Sequence, residues 1–383
     1  MAERKRIGFR FSYNENWIAG SYYILNIIHA LNTLEDEKKP KVVILSETIE
    51  NFNIVKNETN YPFLEYFIFP FPKLKYNLLQ RAINKLSRVV FRKNLITKLH
   101  KQPNIDFLYP NHIDAINVPK LKKVNWVPDF QEEHLPQFFS KKEIERRKHI
   151  QKEIYCNGDI VVLSSLDAEK DFKRLYPRSK AKTFVLNFAV THPNFNHIDS
   201  KKLLNKYNLN DPFFFSPNQF WAHKNHMVIL KAIKKIKDNN RNILVLFSGK
   251  ESDFRNSENF NLIKSYIAEN QLENYVKLLG FIDREEQLCL MSKAIAIIQP
   301  SLFEGWSTVV EDAKALNKFI ILSNLAVHLE QINKNVHFFS PNNHEELGQI
   351  LDKYNKEYPE TSEFNYKESI YKFAEKFMDL TSK

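Results

Sequence analysis

Short apolar runs alternate with longer helical patterns from one end of this chain to the other, and that alternation constrains the fold more than any other feature. The runs at 6–11, 41–45, 106–109, 124–127, 159–163 and 183–186 are mostly continuous rather than alternating, the pattern of strands buried on both faces of a parallel sheet. Helical periodicity fills the intervals at 20–31, 76–100, 141–155 and 167–175. A second series follows, with apolar runs at 213–216, 243–247, 275–279, 294–298 and 319–322 and helical patterns at 225–237, 257–269, 284–292, 308–316 and 344–354. Between the two, residues 189–200 hold Pro193, several Asn and His, and little periodicity, and read as a linker. The expected fold class is α/β: two Rossmann-like, doubly wound domains facing a central cleft at the carboxyl ends of their strands. The expected boundaries are 1–195 and 196–364, with a last helix in 365–383 returning to the first domain.

A length of 383 residues suits two such domains. Only seven residues are glycine, and no two of these stand two positions apart, so both the G-x-G-x-x-G fingerprint and the Walker A loop are absent. A phosphate ligand must then be held by isolated turns, helix N-termini and side chains. Cys156 and Cys289 are far apart and lie in no C-x-x-C pattern, which argues against a disulfide framework or a zinc cluster. No stretch holds 18 uninterrupted apolar residues, and the basic N-terminus runs straight into the first apolar run, so a cytoplasmic chain is expected.

The net charge of +11 is concentrated. No acidic residue occurs between Glu65 and Asp106, where Lys73, Lys75, Arg81, Lys85, Arg88, Arg92, Lys93, Lys98 and Lys101 lie. Arg81, Lys85, Arg88 and Arg92 fall on one helical face, and Leu79, Ala82, Ile83, Leu86 and Val90 form a second stripe. The ordinary reading is a solvated basic face over a packed apolar stripe. The sharper one is a helix lying on an anionic membrane surface. No nucleic-acid-binding signature accompanies it, and no nucleic-acid partner is expected.

The densest chemistry is PSLFEGWSTVVEDAKA, residues 300–315, directly after an apolar run. A strand, a turn and a helix starting near Ser307 or Thr308 would aim free N–H groups and a positive dipole end at an anion such as a diphosphate. Glu304 is placed to accept hydrogen bonds from sugar hydroxyls, and Asp312 to reach a ribose. Thr308 and Glu311 have capping-box spacing. A second segment, FFFSPNQFWAHKNHM at 213–227, reads as a strand and a loop into a helix, carrying Gln219 and Lys224. His223 and His226 flank that lysine without a nearby carboxylate and read as packing rather than metal ligands. Ser164 and Ser165 read as a helix cap.

These segments resemble the signature of GT-B glycosyltransferases of the large retaining group usually called family 4, the glycosyl transferases group 1. The resemblance implies that Glu304 and the acid eight positions on, Asp312, bind the donor's sugar and ribose, and that the turn of Gly305, Trp306, Ser307 and Thr308 lies on the diphosphate. Lys224 occupies the family's phosphate-binding lysine position, and Gln219 stands where arginine is usual. Gly249, with Ser248 and Lys250, and Phe281 and Ile282 after Gly280 take positions near the nucleotide. Gly20, in the stretch Trp17 to Ser21, matches a glycine loop near the donor phosphates and acceptor. Asp129 matches the aspartate of a His-Asp pair at the cleft edge, with Pro128 in the histidine's place and His134 available to supply an imidazole. The resemblance further implies a nucleotide-sugar donor used as substrate, a glycan or lipid-linked acceptor in surface polysaccharide or lipopolysaccharide assembly, and no metal or other cofactor. The absence of any Asp-x-Asp pair agrees with that last expectation. A catalytically silent sugar-nucleotide or glycan-binding protein and a sugar-nucleotide epimerase on the same fold are the alternatives.

Overall fold

The apolar runs become short strands, and their pairings are parallel. In this computed structural model residues 3–13, 18–70, 76–91, 93, 95–96, 102–111, 121–251, 256 and 258–382 are described. The chain folds as two compact units, Met1–Trp126 with Met378–Lys383, and Val127–Phe377.

The first unit holds β1 (Arg6–Arg10), α1 (Ile18–Asn32), β2 (Lys41–Ser46), α2 (Ile49–Thr59), β3 (Leu64–Ile68), α3 (Leu78–Phe91), β4 (Phe107–Tyr109) and all but the last residue of β5 (Lys122–Val127). Its strands run in the order β3-β2-β1-β4-β5, and the registers of β1 with β2 and β4 are parallel. Ile7, Phe9, Val42 and Ile44 are fully buried, as strands covered on both faces require. α3 begins near the expected position and runs to Phe91; residues 92, 94 and 97–100 of the expected helix lie outside the described residues.

The second unit opens with α4 (Gln131–His134), α5 (Lys141–Asn157), β6 (Ile160–Leu163), α6 (Leu166–Leu175), β7 (Lys182–Val185) and α7 (Ser200–Lys206). β6 and β7 pair in parallel. Ser165 caps α6 by accepting a hydrogen bond from the Ala168 amide, 3.1 Å, which is the expected cap. No helix or strand occupies 189–199, and α7 begins at Ser200, the last residue of the expected linker. There follow β8 (Phe214–Pro217), α8 (His226–Asp238), β9 (Val245–Ser248), α9 (Asn259–Glu269), β10 (Val276–Leu278), α10 (Arg284–Lys293), β11 (Ile297–Gln299), α11 (Thr308–Ala315), β12 (Ile320–Ser323), α12 (Ala326–Gln331), β13 (Val336–Phe339), α13 (His344–Lys356) and α14 (Tyr366–Met378). The last six strands form one sheet in the order β10-β9-β8-β11-β12-β13. Phe214, Phe247, Ile298 and Ile321 pack on one of its faces, while Phe215, Leu246, Ile297 and Ile320 pack on the other.

Two strands, β3 and β13, were not expected from apolar runs. Both lie at sheet edges, and their side chains are mostly only partly buried, so polar residues such as Glu65 and His337 interrupt them. Few glycines serve the turns. Asn60, Asn208, Asn225, Asn240, Gln271, Asn317 and Asn335 take φ values from 46° to 57° instead, mostly just beyond a helix end.

Candidate functional site

The strand order of the six-stranded sheet reverses between β8 and β11, which are neighbours although α8, β9, α9, β10 and α10 lie between them in the chain. Loops leaving adjacent strands at such a switch point diverge and open a crevice at their carboxyl ends. The two loops here are residues 218–225 and 300–307, the two segments that carry the sequence motifs. Asn225, in the left-handed region, starts α8. Its side-chain amide donates to the carbonyls of Pro300 (3.1 Å) and Pro341 (2.7 Å), and the Leu302 amide donates to the His223 carbonyl at 2.8 Å. The two loops are thereby tied together.

Across them, Lys224 Nζ donates to Glu304 Oε1 at 2.6 Å, with the two side chains 16% and 10% exposed. Ser301 Oγ and Gln299 Nε2 donate to the same oxygen at 2.6 and 2.9 Å. Burial alone would raise the Glu304 carboxyl, but Lys224, then His223 and His328, outweigh it and bring the group down to about 2. Glu304 is therefore a carboxylate at every physiological pH, an acceptor and not an acid.

Gly305 makes the next approach. A Cβ there would stand 2.6 Å from the Pro128 carbonyl oxygen and 2.9 Å from Asp129 Cβ, so only glycine lets the two backbones meet. Asp129 thus sits beside the Glu304 turn. Its carboxyl is raised, chiefly by burial, against the opposing charge of Arg147, and Oδ1 accepts from the Gln131 amide at 3.1 Å. His134 lies on the same turn, its ring 5.1 Å from that of Phe303, with Nε2 on the Asp171 carboxylate at 2.5 Å. Trp306 Nε1 donates to the Phe188 carbonyl at 3.0 Å.

At the start of α11 the expected capping box is not formed. Ser307, not Thr308, occupies the cap position, and no side chain of its own caps the helix. Gln331 does so instead, accepting from the Ser307 amide (3.1 Å) and donating to the Ser307 carbonyl (2.8 Å) and Glu311 Oε1 (2.9 Å). Glu311 is further engaged by Tyr366 Oη at 2.6 Å and Lys314 Nζ at 2.8 Å. Asp312 is fully buried. The Arg284 guanidinium meets both its oxygens, and His192 Nε2 lies 2.9 Å from Oδ1. Burial would raise this carboxyl too, but Arg284 and His192 hold it below its ordinary value. In this structure, then, Asp312 is committed to protein partners and presents no carboxylate oxygen to a ribose.

Around the crevice, Gly249 takes φ 151° with the Asn218 carbonyl packed against it, and its amide donates to the Gly280 carbonyl at 2.9 Å. This brings the ends of β8, β9 and β10 together, with Gln219 half-buried between them. Phe281 is 66% exposed, whereas the Ile282 side chain belongs to the core. His226 is buried against Phe220 and Phe247 and is pushed down to about 3 by burial, in keeping with packing. Among the described residues no group of three or more His, Cys, Asp or Glu side chains could hold a metal ion.

With this geometry established, comparison with known proteins identifies the segment. The family model described as Glycosyl transferases group 1 matches residues 199–372. This stretch is a glycosyl transferases group 1 domain. A curated relative, the O-antigen chain mannosyltransferase RfbU of Salmonella typhimurium, is 23% identical over 163 residues, 43% of this chain and 44% of that protein; the match thus spans less than half of the relative's length. Among solved structures, HepE from Anabaena in complex with UDP and glucose matches with a TM-score of 0.66 at 14% identity, covering 99% of this chain and all of that one. Sucrose-phosphate synthase from Thermosynechococcus elongatus matches with a TM-score of 0.64 at 16% identity, covering 99% and 95%. These likenesses are of fold, and the fold is GT-B.

Within the group 1 domain, sequence reasoning overlooked Gln299, Gln331, Arg284 and His328, and just before it His192. Only Gln299 left a signal, as the one polar residue closing an otherwise apolar strand. In the first unit, Gly20 lies within the first turn of α1, not in a loop before it, and Trp17 lies outside the described residues. α3 also departs from the ordinary reading. Its buried positions are polar: Asn84 bonds to both backbone groups of Ile96 at 2.8 Å, and Ser87 Oγ accepts from the Leu95 amide at 3.2 Å. Leu79, Leu86 and Val89 are instead 70%, 72% and 81% exposed. Arg81, Lys85 and Arg88 are exposed with them, and Arg92 lies outside the described residues. No described helix is long and apolar enough to cross a membrane.

Proposed function

We propose that this chain is a retaining glycosyltransferase that moves a sugar from a nucleotide-diphosphate donor to a glycan or lipid-linked glycan in surface polysaccharide assembly. The observation that carries the reading is the Lys224–Glu304 pair at the switch point of a group 1 domain. Glu304, ionised and mostly buried, offers an acceptor to sugar hydroxyls, and Lys224 offers a cation that a diphosphate can draw away from it. The hard step is departure of the nucleotide, which gathers negative charge as the sugar becomes oxocarbenium-like. Lys224 and the amides opening α11 are the preorganised donors for that charge, and the leaving phosphate takes the acceptor's proton. No metal is required in this scheme. RfbU's role in an O-antigen chain supports a glycan acceptor, and HepE's complex with UDP and glucose supports a nucleotide-sugar donor.

A thermal-shift panel of UDP, GDP, UDP-glucose, GDP-mannose and ADP-glucose tests the donor site, since a ligand bound only by the native state raises the melting temperature. One nucleotide class should stabilise the wild type, and Lys224→Ala should remove most of that shift. Stabilisation without transfer or hydrolysis would favour a sugar-binding protein, and interconversion of the donor without acceptor an epimerase.

The reading extends to a membrane surface through α3. An exposed apolar stripe beside three exposed cations suits an anionic bilayer, where each basic residue near the surface contributes about 1 kcal/mol. Replacing Arg81, Lys85, Arg88 and Arg92 with glutamine should abolish sedimentation with phosphatidylglycerol vesicles and leave nucleotide binding intact. Unchanged sedimentation would remove the membrane from the proposal.

A further inference from the structure

Glu304 does not hold its own orientation. Each hydrogen bond it accepts from the described residues goes to Oε1, which leaves Oε2 for a ligand. We infer that Gln299 is the positioning residue that sets this division, anchoring Oε1 so that Oε2 faces the donor sugar; the inference rests on the donor-site reading given above.

The amide can be oriented only one way. Gln299 is fully buried, and Nε2 forks to Glu304 Oε1, to Ser301 Oγ at 3.1 Å and to Ser307 Oγ at 3.4 Å. Ser301 spends its own proton on Glu304, so its oxygen must accept from Gln299. Flipping the amide would set its oxygen against the carboxylate. In the orientation adopted, Gln299 Oε1 is buried without a hydrogen-bond partner among the described residues. A residue kept only for packing would gain by being apolar at this position, because an orphaned buried acceptor destabilises the fold. What the amide supplies is the donor to Glu304 and a link from the end of β11 to the start of α11.

The groups whose charge reaches Glu304 come from three places: Lys224 and His223 before α8, His328 on α12, and Asp129 after β5. Of these only Lys224 also donates to Oε1, and in the donor-site reading a diphosphate draws it away, which leaves Gln299 and Ser301 as the anchors of that oxygen. A carboxyl at position 299 would imitate the amide only while protonated. Pressed against the Glu304 carboxylate it holds its proton to a higher pH than usual, donates as the amide does, and then repels Glu304 once the proton is lost.

Calorimetry on the full chain, comparing GDP with GDP-mannose and UDP with UDP-glucose from pH 5 to 9, reads the sugar's share of affinity. For the pair that binds, wild type should keep that share constant across the range. Gln299→Met should reduce it on the order of tenfold at all pH values, with the bare nucleotide unaffected. Gln299→Glu should retain it at low pH and lose it as pH rises. A Gln299→Met protein whose sugar share equals that of wild type overturns the inference, as does a Gln299→Glu response that is flat with pH. Should Gln299→Glu fail to fold, the neutral methionine variant decides alone. Wild type that binds neither pair overturns the donor-site reading itself, and this inference with it.

Discussion

The turn before α11 and the middle of α11 each carry a buried acid, eight positions apart, and the structure treats them in opposite ways. Glu304 accepts three donors on one oxygen, one of them a lysine from a neighbouring loop. Asp312 has both oxygens taken, by Arg284 and His192. Two acids in one motif therefore need not play the same part. Among the described residues the donors to Glu304 all share one oxygen, and Asp312 is a clamp joining α11, α10 and the stretch after β7.

The sharpest way to break this contrast is Arg284→Met. It leaves a fully buried carboxylate with histidine alone and should cost about 3–5 kcal/mol in urea unfolding, while affinity for the nucleotide sugar stays within about twofold. A large loss of affinity at unchanged stability would instead make Asp312 a ligand contact. The next effect is on pH dependence. Both carboxyls are held below their ordinary values, so each contributes stability that is lost as pH falls through its lowered pKa, which for Glu304 is about 2. For Glu304 the amount is on the order of 3 kcal/mol. Glu304→Gln should remove that share of the acid slope and also the sugar-dependent affinity, whereas Asp312→Asn should flatten the slope and leave the affinity. The smallest effect belongs to His192→Gln, which exchanges one hydrogen bond to Asp312 for a weaker one and should cost about 1 kcal/mol, with catalysis unaltered.

Much of this was legible in the chain itself, for identifiable reasons. Continuous apolar runs mark strands covered on both faces, so β8, β9, β11 and β12 were readable. The edge strands β3 and β13, half open to solvent, were not. Glu304 and Lys224 could be paired because each follows such a run, and parallel sheets gather those ends on one side. The fate of Asp312 was hidden because its partners stand 28 and 120 positions away, beyond any local periodicity. The inverted packing of α3 was hidden too. Helical spacing separates two faces but does not say which is covered, and here a few hydrogen bonds from Asn84 and Ser87 decide it.

The left-handed turns bear on the chain before it folds. Among the described residues six asparagines and one glutamine adopt positive φ where glycine would be the least strained choice. Each accepts some steric strain in the native state. Each also narrows the conformations open to the denatured chain, so less disorder is surrendered on folding than with glycine at the same seven turns. A protein with so little glycine thus gains part of its stability from a stiffer starting ensemble, an advantage that no contact within the native structure records.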